Sequence, residues 1–309
     1  MAGDKKLNIL FKDVIRNKYG YYEFKNREEG VEEDISAHYA EAYYQNELST
    51  YKKEYTDREL KNKYNRLQRI QQVLEKRLSI KTQEKKFLDI GCGEGFALKY
   101  FMEHGYEVSG IEYDTYGCKF HNPEMVGKIR KGSAYDVLES FLPESYLGTV
   151  LMDNVLEHVV DPEKLIRKVT EVSKAGTCLI ITVPNDFSDT QLELFRKGYI
   201  DNAFWVTAAS YPPEHLSYFS KNALESLLEA YGWRMAFVMG SYPIDFNLFN
   251  NSTNYIKNKE TGRNCYQAMI EIEEFMNGME QGTDILIDIY GKLGEAGVGR
   301  NITAFFILQ

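Results

Sequence analysis

FLDIGCGEG, residues 87–95, reads as a short apolar strand that runs into a loop with glycine at three alternate positions. Gly91, Gly93 and Gly95 let the backbone bend sharply at the carboxyl end of a strand and let a ligand approach the main chain closely. A helix from Gly95 to His104 follows, and its first N–H groups suit a carboxylate or another anion. The next strand, Tyr106 to Glu112, ends in an acidic side chain about twenty residues after the loop, where it can accept both hydroxyls of a ribose. A dinucleotide fingerprint needs a third glycine at the sixth position. That position is Phe96 counted from Gly91 and Leu98 counted from Gly93, so the frame disfavours a pyrophosphate ligand.

Strand and helix patterns alternate outward from this stretch. Met125 to Arg130, Gly148 to Asp153, Cys178 to Val183 and Trp233 to Met239 read as further strands. Asp161 and Pro162 start a helix whose apolar face carries Leu165, Ile166, Val169 and Val172, with Gly176 after it, and Ser220 caps another helix running to Tyr231. Such alternation implies a doubly wound α/β sheet with helices on both faces. Residues 1–82 form a polar, Tyr-rich zone. Within it Leu60, Tyr64, Leu67, Ile70, Leu74 and Leu78 mark one apolar face of a long helix, and the zone is expected to be a helical cap. Residues 83–240 hold the ligand-binding α/β unit. Residues 241–300 break the rhythm with two expected helices, and Gly291, Gly294, Gly297 and Gly299 read as a glycine-rich loop. Residues 301–309 form the final strand.

The 309-residue chain carries a formal charge of −9 and a pI near 5.3, which argues against a general nucleic-acid grip. Cys92, Cys118, Cys178 and Cys265 form no CxxC pair, so neither a zinc knuckle nor a disulfide framework is indicated. MAGDKKLNILFKD has no apolar core of signal-peptide length, and the longest apolar runs are strand-sized. A cytoplasmic protein that does not enter membranes is the expectation. The sequence leaves its oligomeric state open.

The Asp89-x-Gly91-x-Gly93-x-Gly95 pattern resembles motif I of the Rossmann-like, class I S-adenosylmethionine-dependent methyltransferases. The resemblance covers roughly residues 40–309. MDNVLEHVVDPEKLIRKV (152–169), TVPND (182–186) and PPEHLSYFSKNALESLLEAYGW (212–233) look like the corresponding stretches of the ubiquinone-type O-methyltransferases. GVGRNITAFFIL (297–308) resembles the last strand of relatives found with bacterial polysaccharide or secondary-metabolite genes. The resemblance implies S-adenosylmethionine as cofactor. Asp89 and the loop around Gly91, Gly93 and Gly95 would hold its methionine part and Glu112 its ribose, with Cys92 and Tyr113 also binding the cofactor. Ser133 and Ala134 would lie by the adenine, and Asp153 and Asn154, at the end of the fourth strand, would also bind the cofactor. Ser133 replaces the acid that the family usually carries there. The expected architecture is a seven-stranded sheet with the last strand antiparallel, a cap before it and a helical insertion before that strand.

A sulfonium methyl is already activated, so such a protein must chiefly align an acceptor, and a hydroxyl acceptor also needs a partner for its proton. His215 and His158 fall at the ligand-binding edge and are the candidate catalytic residues; His38, His104 and His121 have no supporting context. The run Asp153-Asn154-Val155-Leu156 lacks the Pro-Pro-aromatic pattern of nucleobase amine methylation. Asp153, Asn185 and Asp186 lie roughly where hard metal ligands would sit, but strand-ending turn residues explain them as well, and no metal is assigned. Tyr39, Tyr43, Tyr44, Tyr51 and Tyr55, then Phe204, Trp205, Tyr211 and Tyr218, then Tyr242, Phe246, Phe249 and Tyr255 are candidate aromatic walls for an acceptor; filling the core is their alternative role. A small-molecule hydroxyl is the expected acceptor, on a sugar or nucleotide-linked sugar, with a phenol or quinone precursor second. A nicotinamide-dependent oxidoreductase and a non-catalytic nucleotide-binding module are the competing classes.

Overall fold

The computed structural model describes residues 14–24, 54–78, 85–143, 145–146, 148–201, 204–205 and 215–309. In chain order the strands are β1 (Val14–Arg16), β2 (Tyr22–Phe24), β3 (Lys86–Ile90), β4 (Glu107–Glu112), β5 (Ile129–Lys131), β6 (Thr149–Asp153), β7 (Cys178–Pro184), β8 (Ser217–Tyr218), β9 (Trp233–Gly240) and β10 (Asn301–Leu308). The helices are α1 (Asp57–Gln72), α2 (Phe96–Glu103), α3 (Tyr116–His121), α4 (Ala134–Glu139), α5 (Pro162–Val172), α6 (Asp189–Arg196), α7 (Lys221–Glu229), α8 (Lys259–Asn277) and α9 (Gly282–Glu295).

Seven strands form the main sheet in the order β5-β4-β3-β6-β7-β10-β9. β3 to β7 pair in parallel, and β10 runs antiparallel to both β7 and β9, as expected of the last strand. The order reverses between β3 and β6. That is the topological switch where open α/β sheets bind ligands, beyond the carboxyl ends of the strands. Alternate side chains feed two cores. Leu88, Ile90, Val150, Met152, Leu179 and Ile181 pack with α4, α5 and α7 on one face. Phe87, Val108, Leu151, Cys178, Ile180 and Phe305 pack with α1, α2 and α9 on the other. All of β7 is buried, as a strand covered on both faces must be.

The helix starts follow local chemistry. Asp161 accepts from the Lys164 N–H to open α5, with Pro162 in the first turn. Thr56 and Glu59 close a reciprocal capping box on α1, which continues through one π-helical turn at Val73–Arg77. The face bearing Leu67, Ile70, Val73 and Leu74 then docks α1 on the sheet. Each fully buried aliphatic side chain contributes about 1.5–3 kcal/mol, so this stripe outweighs the helix's own weak propensity.

Three local readings change. The third strand is only Ile129–Lys131; Pro123–Lys128 is a 3₁₀ turn that buries Met125. Gly291 and Gly294 belong to α9, not to a loop, and only Gly297 and Gly299 have the positive φ of a turn. A Cβ on Gly294 would lie 2.8 Å from backbone atoms of β9, so this glycine lets helix and strand approach closely. Within the zone expected to be helical, β1 and β2 form a hairpin, which β8 extends into a separate antiparallel sheet. Tyr39, Tyr43, Tyr44, Tyr51 and Tyr211 lie outside the described residues. Among those residues no helix is long and apolar enough to cross a membrane.

Candidate active site

The glycine loop after β3 is built as its sequence demands. Gly91, Gly93 and Gly95 have φ of 73°, 48° and 78°, all left-handed. A Cβ on Gly91 would come within 2.5 Å of Val155 Cγ2, which leaves room there for main chain only. The Gly91 and Cys92 amides donate to the Ile111 carbonyl at 2.8 and 3.3 Å and so pin the loop to β4. Glu112, at the end of β4, accepts from the Gly93 amide at 2.8 Å and from the Tyr113 amide at 2.8 Å. Its carboxylate thus already braces the loop from behind.

In front of the loop lies a cavity of about 410 Å³ at the carboxyl ends of β3 and β6. It gathers Asp89, Gly91, Cys92 and Gly93 with Asp153, Asn154, His158 and His215 from the residues singled out in the sequence. Gly95, Glu112, Tyr113, Ser133 and Ala134 do not line it. Gly95 caps α2, and the Ser133 hydroxyl caps α4 by accepting from the Tyr135 amide at 3.3 Å.

The cavity is polar and its charges are unevenly solvated. Asp89 is buried, and its Oδ1 has no hydrogen-bond partner among the described residues. Burial, then the charges of Asp153 and Glu112, hold its carboxyl well above the usual range, and Arg66 opposes them. Burial does the same to the Glu157 carboxyl and to the Cys92 thiol. His215 moves the other way. Burial, aided by the Arg300 charge, brings it down to about 4, so its ring is neutral at pH 7.

The two histidine motifs form one unit. The Glu157 carbonyl accepts the Leu216 and Ser217 amides at 2.8 and 3.1 Å, which ties the segment carrying His215 to the turn carrying His158. The two imidazoles meet edge to face at 4.8 Å.

Several lining residues escaped the sequence reading. Lys63 and Arg66 reach in from α1, and Arg66 pairs with Asp153. Glu94, an unassigned position inside the glycine motif, is only 5% exposed and is held from three sides. Tyr55 donates to it at 2.9 Å, His121 Nε2 lies 3.2 Å away, and Lys63 Nζ lies 3.5 Å away. Glu157 also lines the cavity, although only its histidine neighbour was singled out.

The hard-ligand set does not assemble. Asp153 is taken by Arg66, and Arg300 donates to Asp186 at 3.2 Å. The Asn185 amide donates to the Gly297 and Gly299 carbonyls. Of the expected aromatic walls, the described members mostly serve packing. Phe187 and Trp205 stack at 4.6 Å, Tyr218 and Phe249 join the same cluster, and Tyr255 donates to Asp245 at 2.5 Å. Phe246 is exposed, and among the described residues Phe96 is the one Phe, Tyr or Trp side chain that lines the cavity.

The chain is similar to several known proteins. A ubiquinone biosynthesis O-methyltransferase of Nitrosospira multiformis is 30% identical over 105 residues, 33% of this chain and 44% of that one. A probable S-adenosylmethionine-dependent methyltransferase of Mycobacterium tuberculosis is 25% identical over 114 residues, 37% of this chain and 41% of that one. The chain thus spans less than half the length of these curated relatives. The crystal structure of a SAM dependent methyltransferase from Archaeoglobus fulgidus is 20% identical, covering 79% of this chain and 94% of that one with a TM-score of 0.45. The family described as a methyltransferase domain matches residues 60–236, from α1 through the glycine loop and both histidine motifs into β9. That match takes in more than half of the sequence, and the chain belongs to this methyltransferase-domain family.

Proposed function

We propose that the chain transfers the methyl group of S-adenosylmethionine to a hydroxyl of a small, polar acceptor, a sugar or nucleotide-linked sugar. The observation that carries this reading is the cavity itself. Among the described residues, carboxylates, histidines and the amide-bearing glycine loop line it with Phe96 as the one Phe, Tyr or Trp side chain, a lining that suits a polyol better than a flat phenolic ring.

The residues fit the cofactor. The partnerless Asp89 Oδ1 suits an ammonium group, and Lys63 and Arg66 across the cavity suit a carboxylate. The Gly91 and Gly93 main chain lines the cavity, where a ligand can approach it closely. Glu112, which braces the loop from behind and does not line the cavity, would have to turn forward to accept the ribose hydroxyls. The bound cofactor would supply an electrophilic methyl carbon on a sulfonium.

The chain's own part is to exclude water and orient the acceptor. His215 is neutral, so one ring nitrogen carries a lone pair that can accept a hydrogen bond from the acceptor hydroxyl and take its proton. His158 supports the His215 ring edge-on, and the Glu157 carbonyl fixes the backbone of both.

A second reading follows from the ubiquinone biosynthesis O-methyltransferases among the relatives, whose names point to a phenolic acceptor. Methyl-labelled S-adenosylmethionine, incubated with the protein and parallel panels of nucleotide-linked sugars and catechols, separates the two. Label in the sugar panel is the expected result, and label confined to catechols replaces this reading with the second. In the same assay His215→Ala should slow turnover at least about a hundredfold, as loss of a proton acceptor does, with S-adenosylhomocysteine binding little changed.

A further inference from the structure

Glu157 and His158 leave β6 side by side, and His215 enters β8 opposite them. One ligand-competent atom of each lies within 4.8 Å of the others. This convergence is built into the main chain, because the Glu157 carbonyl anchors the Leu216 and Ser217 amides. Glu157 is 2% exposed, and its Oε2 has no hydrogen-bond partner among the described residues. Its other oxygen lies 3.8 Å from His158 Nε2, beyond hydrogen-bond reach. Leaving a buried polar atom unsatisfied costs about 1–3 kcal/mol. All three side chains also line the cavity.

Two imidazoles and one carboxylate on one side, with open positions opposite, make the donor set of borderline divalent transition ions. Magnesium and calcium prefer oxygen donors throughout. Metal–donor bonds of about 2.0–2.2 Å set neighbouring ligand atoms about 3.3 Å apart. The present spacing is wider, and ion binding would require side-chain rotation, chiefly of the half-buried His158, to close it. We propose that Glu157, His158 and His215 form a binding site for a divalent transition-metal ion of the zinc, cobalt or manganese class, open toward the cavity. The Asp153, Asn185 and Asp186 set plays no part in it, since Arg66 pairs with Asp153, Arg300 pairs with Asp186, and neither Asn185 nor Asp186 lines the cavity.

The site stands on geometry and does not need the methyl-transfer reading. One consequence does rest on that reading: an acceptor with neighbouring hydroxyls would complete the ion's shell and lose a proton more readily. With the ion bound, His215 would orient the acceptor through it, and the proton would leave to water.

The test is binding of metal alone to the full chain, without cofactor or acceptor. After removal of adventitious metal with a chelator, Co²⁺ should produce visible d–d absorption that saturates at about one ion per chain. Zn²⁺ should displace it, and Mg²⁺ should not. Glu157→Gln and His215→Asn should each weaken Co²⁺ binding at least about tenfold, with circular dichroism reporting whether each variant is folded. Should a variant fail to fold, nitrogen couplings from imidazole in the electron paramagnetic resonance of Mn²⁺-loaded wild-type protein decide the same point. No saturable band, a band unchanged in both folded variants, or Mn²⁺ without imidazole couplings overturns the site. None of these results bears on methyl transfer, which S-adenosylhomocysteine binding and the labelling assay measure separately.

Discussion

Gly91→Ala tests the cradle at its tightest point. The substitution carries two costs. Holding an L-residue at φ 73° costs about 1–2 kcal/mol. The new methyl would also sit 2.5 Å from Val155 Cγ2, where carbon atoms prefer about 3.5–4.0 Å, and such overpacking costs about 1–3 kcal/mol. We expect about 3 kcal/mol in all. An unfolding entropy of about 2.1 cal/mol/K per residue over 309 residues converts this to a Tm lower by about 5 °C. Val155→Ala removes the obstructing methyl and alone should cost about 1 kcal/mol, because Val155 is only partly buried. The double variant should therefore recover the steric part and keep the backbone part, with a coupling of about 1.5 kcal/mol from thermal unfolding. Calorimetry with S-adenosylhomocysteine should show weakened binding in Gly91→Ala, since relieving the clash with Val155 must shift the loop that lines the cavity. Strictly additive stabilities, within about 0.5 kcal/mol, would refute the claim that Gly91 is glycine because Val155 closes the space above it.

Further outcomes are expected for substitutions elsewhere in the fold. Gly294→Ala should lower stability by about 1–2 kcal/mol despite a gain of about 1 kcal/mol in helix propensity, because its methyl would meet immovable β9 backbone at 2.8 Å. Gly291→Ala should be neutral or stabilising in the same melts, since the atom it meets at 3.1 Å is the yielding ring edge of Phe237. Arg69→Met should cost about 3 kcal/mol in urea unfolding, for it strands the buried Glu273 carboxylate, while Arg58→Met, which breaks exposed pairs to Glu271 and Glu274, should cost under about 1 kcal/mol. Glu163 is opposed by burial, but bonds from Lys18, Tyr231 and Tyr19 bring its carboxyl down to about 2 from 4.5. A depressed carboxyl stabilises above the unfolded value, so Glu163→Gln should lose about 1 kcal/mol at pH 7, discounted for a one-third exposed side chain, and the gap to wild type should close as pH falls from about 4.5 to 2.

The main sheet was legible because its strands are apolar runs bounded by turn residues, and a strand buried on both faces has few other ways to be written. β7 and β10 are the clearest cases. What failed was packing at a distance. Gly291 and Gly294 share composition with the loop glycines after them, and only the approach of β9 shows that they are helical contacts. β1 and β2 are three residues each and their partner β8 is two, too short to display a period of two, and β8 lies nearly 200 residues further along the chain. Pro123 and Met125 supplied one buried apolar residue, which a strand and a 3₁₀ turn provide equally well.

The site was legible where chemistry is local and hidden where it is assembled. Glycines beside a strand end, and a histidine at each of two edge loops, announce themselves in one dimension. The cations do not. The apolar stripe of α1 identified a helix, but Lys63 and Arg66 on its polar side look like any solvated residues. In the fold they face Asp89, Glu94, Asp153 and Glu157 around a single cavity. Without α1 that cavity would hold four carboxylates with little to offset them, and crowding of like charges in a desolvated space drives carboxyls to take up protons. Asp89 shows the balance directly, with Asp153 and Glu112 pushing its proton affinity up and Arg66 pulling it down. The helix before the glycine loop is therefore part of the cavity's electrostatics. It docks by its leucine and isoleucine stripe, and the same docking sets two cations against the cavity's carboxylates.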